Sequence, residues 1–148
     1  MNYAAKPSEL DQNPRAPELL IQIANGNQDA LRWMWSLWCF THLYDDLVDK
    51  DKKVTADEAS SELCRFIEQM TLNKFYRDNA SGLLALLVSA LNRWQMGDEM
   101  AKSSDSKQII MARAVRCGDV DLYLHVAYLT GGWEHMRSMS ALMGFDKE

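Results

Sequence analysis

The stretch from Leu31 to Asp51, LRWMWSLWCFTHLYDDLVDKD, constrains the fold of this chain more than any other. It holds Trp33, Trp35 and Trp38, three of the five tryptophans, and runs without a break into Asp45, Asp46, Asp49 and Asp51. At about 100° per residue on a helix, His42, Asp45, Asp46 and Asp49 fall within one arc of roughly 100°. The same arc read back toward the N-terminus contains Leu31, Trp35 and Trp38, so the acids end an apolar stripe. The opposite side, with Trp33, Leu37, Phe40, Tyr44, Leu47 and Val48, is apolar as well. A helix apolar nearly all round is normally buried, which predicts that some of these carboxylates are sheltered and need a partner.

A helix of this kind needs neighbours, and the rest of the chain supplies them. The apolar run Leu19, Leu20, Ile21, Ile23 after Pro17, stopped by Asn25-Gly26, predicts a short first helix over 17–24. Asn27 caps the central helix, Gln28 to about Lys50, with Asp29 near its positive end. Thr55 and Glu58 form a capping box that starts a third helix at Ala56, with Ala59, Leu63, Phe66, Ile67 and Met70 at helical spacing. Residues 74–79 read as a connection, with Asn79 as a cap for a fourth helix from Ala80 to about Met100 that Gly97 bends or ends. Ser104 or Asp105 caps a fifth helix, from Ser106 to about Leu129, which stops at Gly131-Gly132. A last helix follows from Trp133 to Met143. No segment alternates apolar and polar residues between hairpin turns, so no strands are expected. The expectation is an all-α, single-domain bundle of roughly five or six helices around the long central one. Residues 1–16, with spaced prolines and no periodic apolar face, read as an irregular arm before a helical domain over 17–148.

Charge and cysteine usage narrow the function classes. Sixteen basic against twenty-one acidic residues, net −5, with no basic run, argue against nucleic-acid binding through a broad electropositive surface. Cys39, Cys64 and Cys117 are odd in number, form no CxxC and sit in apolar helical patterns, which predicts free buried thiols. The polar N-terminus lacks the hydrophobic core of a signal peptide and no segment approaches the ~20 apolar residues of a membrane span, so the expected location is cytoplasmic.

The acids are the candidate chemistry. Asp45, Asp46 and Asp49 make DDLVD, and carboxylates at i, i+3 and i+4 can grip Mg²⁺, which prefers hard oxygen ligands and leaves positions for a substrate's phosphates. Lys50, Lys52 and Lys53 offer the plain alternative, a solvated helix end balanced by lysines, although negative charge is unfavourable at a helix C-terminus. The segment FTHLYDDLVDKD, residues 40–51, resembles the first aspartate-rich motif of trans-isoprenyl diphosphate synthases and their terpenoid-synthase relatives. The resemblance implies an all-α fold around a cavity, with Asp45, Asp46 and Asp49 as catalytic Mg²⁺ ligands holding an allylic diphosphate, and transferase or lyase chemistry. Trp35 and Trp38 are assigned to the wall of that pocket by helical geometry, beside His42. The nearest counterpart of a second motif is GDVDLYLH, Gly118–His125, where Asp121 and His125 share a face and close the opposite side as substrate-binding groups.

Two other readings stay open. Asp46 and Asp49 followed by Asp57, Glu58 and Glu62 on the next helix suit an all-α nucleotide pyrophosphohydrolase, and the i, i+4 pairs His42/Asp46 and Asp121/His125 have metal-ligand spacing. The non-enzymatic reading is a helical interaction module whose exposed Trp and Met surface docks a partner helix. Trp133 with Met136, Met139 and Met143 on the last helix hints at a homodimer contact.

Overall fold

The computed structural model describes residues 18–50 and 52–143, so the expected N-terminal arm, Pro17 and Asp51 lie outside the described residues. The described residues form six helices and no strand: α1 (Glu18–Ala24), α2 (Gln28–Asp49), α3 (Ala56–Leu72), α4 (Lys74–Ala101), α5 (Ser106–Arg116) and α6 (Gly118–Leu142). The all-α class is as expected. The chain divides into two compact units, Met1–Asp78 and Asn79–Glu148, with the boundary inside α4. None of the described helices is long and apolar enough to cross a membrane.

In the first unit α2 packs against α1 and α3. Its start is set as the sequence predicts, by Asn27, whose Oδ1 accepts from Ala30 N at 3.0 Å. From Ala30 to Leu37 nearly every side chain is buried, the widest being Trp33, which stacks on Tyr76 at 5.5 Å between ring centroids and 14° between planes. Burial fades along the helix. Leu47 and Val48 are exposed, so the expectation of a helix enclosed all round holds for its first half and fails in the last turn. Lys50, in the left-handed region at φ 58°, ends α2. The predicted capping box opens α3: Glu58 N donates to Thr55 Oγ1 at 3.2 Å while Thr55 N donates to Glu58 Oε2 at 2.8 Å. Phe66 of α3 stacks on Phe40 of α2 at 4.3 Å and 12°.

The fourth helix begins earlier than the sequence predicts. Asn73, not Asn79, caps it: Asn73 Oδ1 accepts from Tyr76 N at 3.0 Å, while its Nδ2 donates to Asp29 O and Gln69 Oε1, both at 2.8 Å. A buried amide that ties three helices of the first unit together outweighs a surface cap six residues later. Nor does Gly97 end α4. An added Cβ there would lie 2.1 Å from Arg116 Cγ and 2.9 Å from Ala112 O, so this glycine lets α5 approach α4 closely.

The largest correction lies at residue 117. The expected helix over 106–129 is two helices meeting at Cys117–Gly118. Gly118 fits where a Cβ would meet Ala90 Cα at 3.0 Å, and Arg93 of α4 takes up carbonyls at the end of α5, donating from Nε to Val115 O (3.2 Å) and from Nη2 to Ala114 O (3.1 Å). A guanidinium fork thus satisfies acceptors that the helix end releases. The break predicted at Gly131-Gly132 is present as a kink within α6, where Gly132 adopts φ 77°, ψ −168°. Buried side chains in this unit include Leu83, Leu122, Val126, Ala127 and Met139.

The thiols are free, but only Cys39 is buried. Cys64 is exposed, and Cys117, at the junction of α5 and α6, is half-buried.

Candidate functional site

The acid cluster occupies the last two turns of α2, where three acids meet three environments. Asp46 is buried, with 9% of its surface exposed, Asp45 is half-buried and Asp49 is exposed. The left-handed Lys50 turns the chain so that Lys52 Nζ lies 3.7 Å from Asp46 Oδ1, a loose ion pair whose cation faces water. One turn earlier His42 Nδ1 is 2.8 Å from Trp38 O. A carbonyl only accepts, so Nδ1 carries the proton of this hydrogen bond. The His42 ring lies tilted at 4.3 Å from Trp38.

Trp35 is buried and its Nε1 has no acceptor among the described residues, which makes it a core side chain rather than the lining of an open surface. Trp38 is half-buried. Among the described residues, no three His, Cys, Asp or Glu side chains gather in a way that could hold a metal ion. The Mg²⁺ ligands the motif implies are thus side by side along α2 without a convergent oxygen cage of their own.

Asp121 and His125 lie in the second unit, on α6. Asp121 Oδ2 accepts from Arg93 Nη1 at 2.8 Å and is exposed, completing the Arg93 fork at the α5–α6 corner. His125 is half-buried beside Tyr128, with ring centroids 6.5 Å apart, and its Nε2 lies 3.2 Å from where a Cβ on Gly82 would stand. Both residues therefore have local structural employment. Of the α3 acids, Glu58 serves the capping box, and its carboxyl is held below the ordinary carboxylate range by hydrogen bonds from the Thr55 backbone N–H and hydroxyl. Arg32 pairs with Asp29 at 2.9 Å and Arg116 with Asp98 at 3.8 Å, the latter also over the Trp94 ring.

The residue that sequence reading underrated is Glu62. Its side chain is completely enclosed, neither carboxylate oxygen has a hydrogen-bond donor among the described residues, and Arg65 Nη1 lies 3.2 Å from Oε1. Burial pushes its carboxyl above the ordinary range, and the Arg65 guanidinium opposes this. Opposite it, burial first and Glu62 second push the Cys39 thiol up to about 12, with Arg65 acting the other way. The signal was legible in the spacing. Glu62 falls between Ala59 and Phe66 on the apolar face of α3, where a carboxylate is out of pattern.

No protein-family model, no curated protein and no solved structure matches this chain.

Proposed function

We propose that the chain is a helical interaction module that self-associates through the outer face of α4. One observation carries this reading. From Asn79 to Asn92 α4 contains no charged residue, and along it Leu84, Val88 and Leu91 are 47%, 60% and 49% exposed. They recur at the i, i+4, i+7 spacing of a packing seam, flanked by the small exposed residues Ser81, Ala85 and Ser89. Scattered apolar side chains on a surface need no explanation, but a contiguous uncharged stripe is the kind of surface that binds. A second copy fits it because a face without charge does not repel itself, whereas the net −5 of the rest of the chain disfavours association elsewhere.

The test is molar mass by light scattering across a concentration series. A mass that doubles with concentration, and that Val88→Glu returns to the monomer while helical circular dichroism is unchanged, supports the reading. A monomer at every concentration sinks it.

A second reading is favoured by a specific feature, a buried Asp46 and half-buried Asp45 at a helix C-terminus, where the dipole opposes negative charge. In this reading Asp45, Asp46 and Asp49 take Mg²⁺, and the metal holds a diphosphate, as the isoprenoid-synthase resemblance implies. Its support is the motif and the sheltering of two of its acids. A thermal-shift series with Mg²⁺ and either pyrophosphate or an isoprenyl diphosphate decides it. Metal-dependent stabilisation abolished by Asp45→Ala and Asp46→Ala supports it, and an unchanged melting temperature in every combination overturns it.

A further inference from the structure

Helix α3 rests on α2 in an unusual way: of its seventeen residues the one that is fully buried is Glu62. Its apolar side chains divide between two faces. Phe66 stacks on Phe40 of α2, while Leu63 and Ile67 are exposed. The docking of α3 therefore places a carboxyl, rather than a hydrocarbon, at the most enclosed point of the α2–α3 contact.

One charged group acts on that carboxyl, the Arg65 guanidinium of the same helix, and the carboxyl in turn acts on the Cys39 thiol of α2. Arg65 Nη1 reaches Oε1 at 3.2 Å, but among the described residues no group hydrogen-bonds either oxygen. A single guanidinium contact does not replace the two to four hydrogen bonds an ionised carboxylate makes in water. The enclosed group has two ways to relieve that cost, taking up a proton or leaving for solvent. The second route is open here because α3 is bounded by non-helical residues, 52–55 before it and Asn73, in extended backbone, after it.

We propose that α3 is a proton-gated element of the first unit: when Glu62 loses its proton, α3 undocks from α2 and bares Cys39. The direction follows from burial. Burial raises the Glu62 carboxyl above its ordinary value of 4.5, so the docked state binds the proton more tightly than the undocked state. Docking is fully favoured below the ordinary carboxylate range and weakens as pH rises through the docked-state value. Between the ordinary value and the docked-state value each pH unit shifts the opening equilibrium by up to about tenfold, one proton being released on opening, and above the docked-state value the equilibrium is level. The opening is local, a loss of one helix from its neighbour rather than global unfolding. It stands independently of self-association through α4 and of any metal at Asp45.

The buried thiol is the reporter. The full chain is labelled with a maleimide from about pH 5 to about pH 8, and the Cys39 peptide is followed by mass spectrometry, with exposed Cys64 as internal reference. Glu62→Gln keeps the shape and has no proton to lose, and Glu62→Met provides a second neutral side chain of similar length. The expected result is a ratio of wild-type to variant labelling at Cys39 that climbs with pH above the ordinary carboxylate range, by up to about tenfold per unit, and levels off once the docked carboxyl is ionised. A ratio that stays flat overturns the proposal, as does wild-type Cys39 reacting as fast as Cys64 at every pH. Should both variants fail to fold, hydrogen exchange of the wild type decides. Protection of α3 lost with rising pH while α6 keeps its own, after correction for intrinsic rates, supports the gate, and parallel loss in both helices refutes it.

Discussion

Replacing Trp33 tests the core of the first unit directly. The side chain is 1% exposed, and its ring lies against Tyr76 in a nearly parallel stack, joining α2 to the first turn of α4. Truncation to alanine removes a large buried side chain and leaves a cavity, an effect of about 3–5 kcal/mol, to which the lost stack contributes roughly 0.5–1.5 kcal/mol. Against a typical total of about 5–15 kcal/mol, that leaves a marginal protein. Trp33→Phe is expected to be far milder. It keeps a stacking ring and removes an indole N–H that has no acceptor among the described residues, relieving a desolvation cost of about 1–3 kcal/mol. Urea unfolding followed by far-ultraviolet circular dichroism reads both. With a slope of about 2 kcal/mol per molar, the alanine variant should lower the midpoint by about 2 M and the phenylalanine variant by well under 1 M. Equal losses for the two variants, or an alanine shift below about 0.5 M, would refute the placement of Trp33 at the centre of the unit.

Asn73→Ala removes the cap of α4 and the donors to Asp29 O and Gln69, and should cost about 1–3 kcal/mol in thermal or urea unfolding, with Asn73→Asp, which keeps the cap, costing less. Gly97→Ala should destabilise by about 1–3 kcal/mol although helix propensity alone favours alanine by about 1 kcal/mol, because the new methyl collides with Arg116 and the backbone of Ala112. For the capping box, Glu58 sits below its ordinary carboxyl value through hydrogen bonds from Thr55, so its support of α3 is present above the ordinary range and lost as pH falls through the lowered one. Amide chemical shifts in the first turn of α3 should therefore report fraying on acidification, and Thr55→Ala should show the same fraying at neutral pH.

What the sequence by itself determined about this protein is local. Helical periodicity without alternation predicted an all-α chain, Asn27 and the Thr55–Glu58 pair marked the starts of α2 and α3, and Gly132 marked the kink in α6. Each of these rests on a group acting within about one helical turn of itself, so spacing along the chain is sufficient to find it. The DDLVD pattern was equally plain as a motif, but a motif does not carry the burial of its residues. Tertiary structure decided that Asp46 is enclosed while Asp49 faces water, and that Trp35 belongs to the core.

Tertiary structure also decided where helices end when the deciding group comes from far along the chain. Asn73 prevailed over Asn79 because its amide reaches Asp29, 44 residues away, and α5 ends at Arg116 because Arg93 of another helix meets the carbonyls that end releases. The position of Glu62 on the apolar face of α3 was visible in the spacing, yet only the packing of α3 on α2 removed it from water beside Cys39. Hydrogen-bond satisfaction and desolvation are sums over neighbours in space. A single sequence lists candidates for those neighbours, and the fold chooses among them.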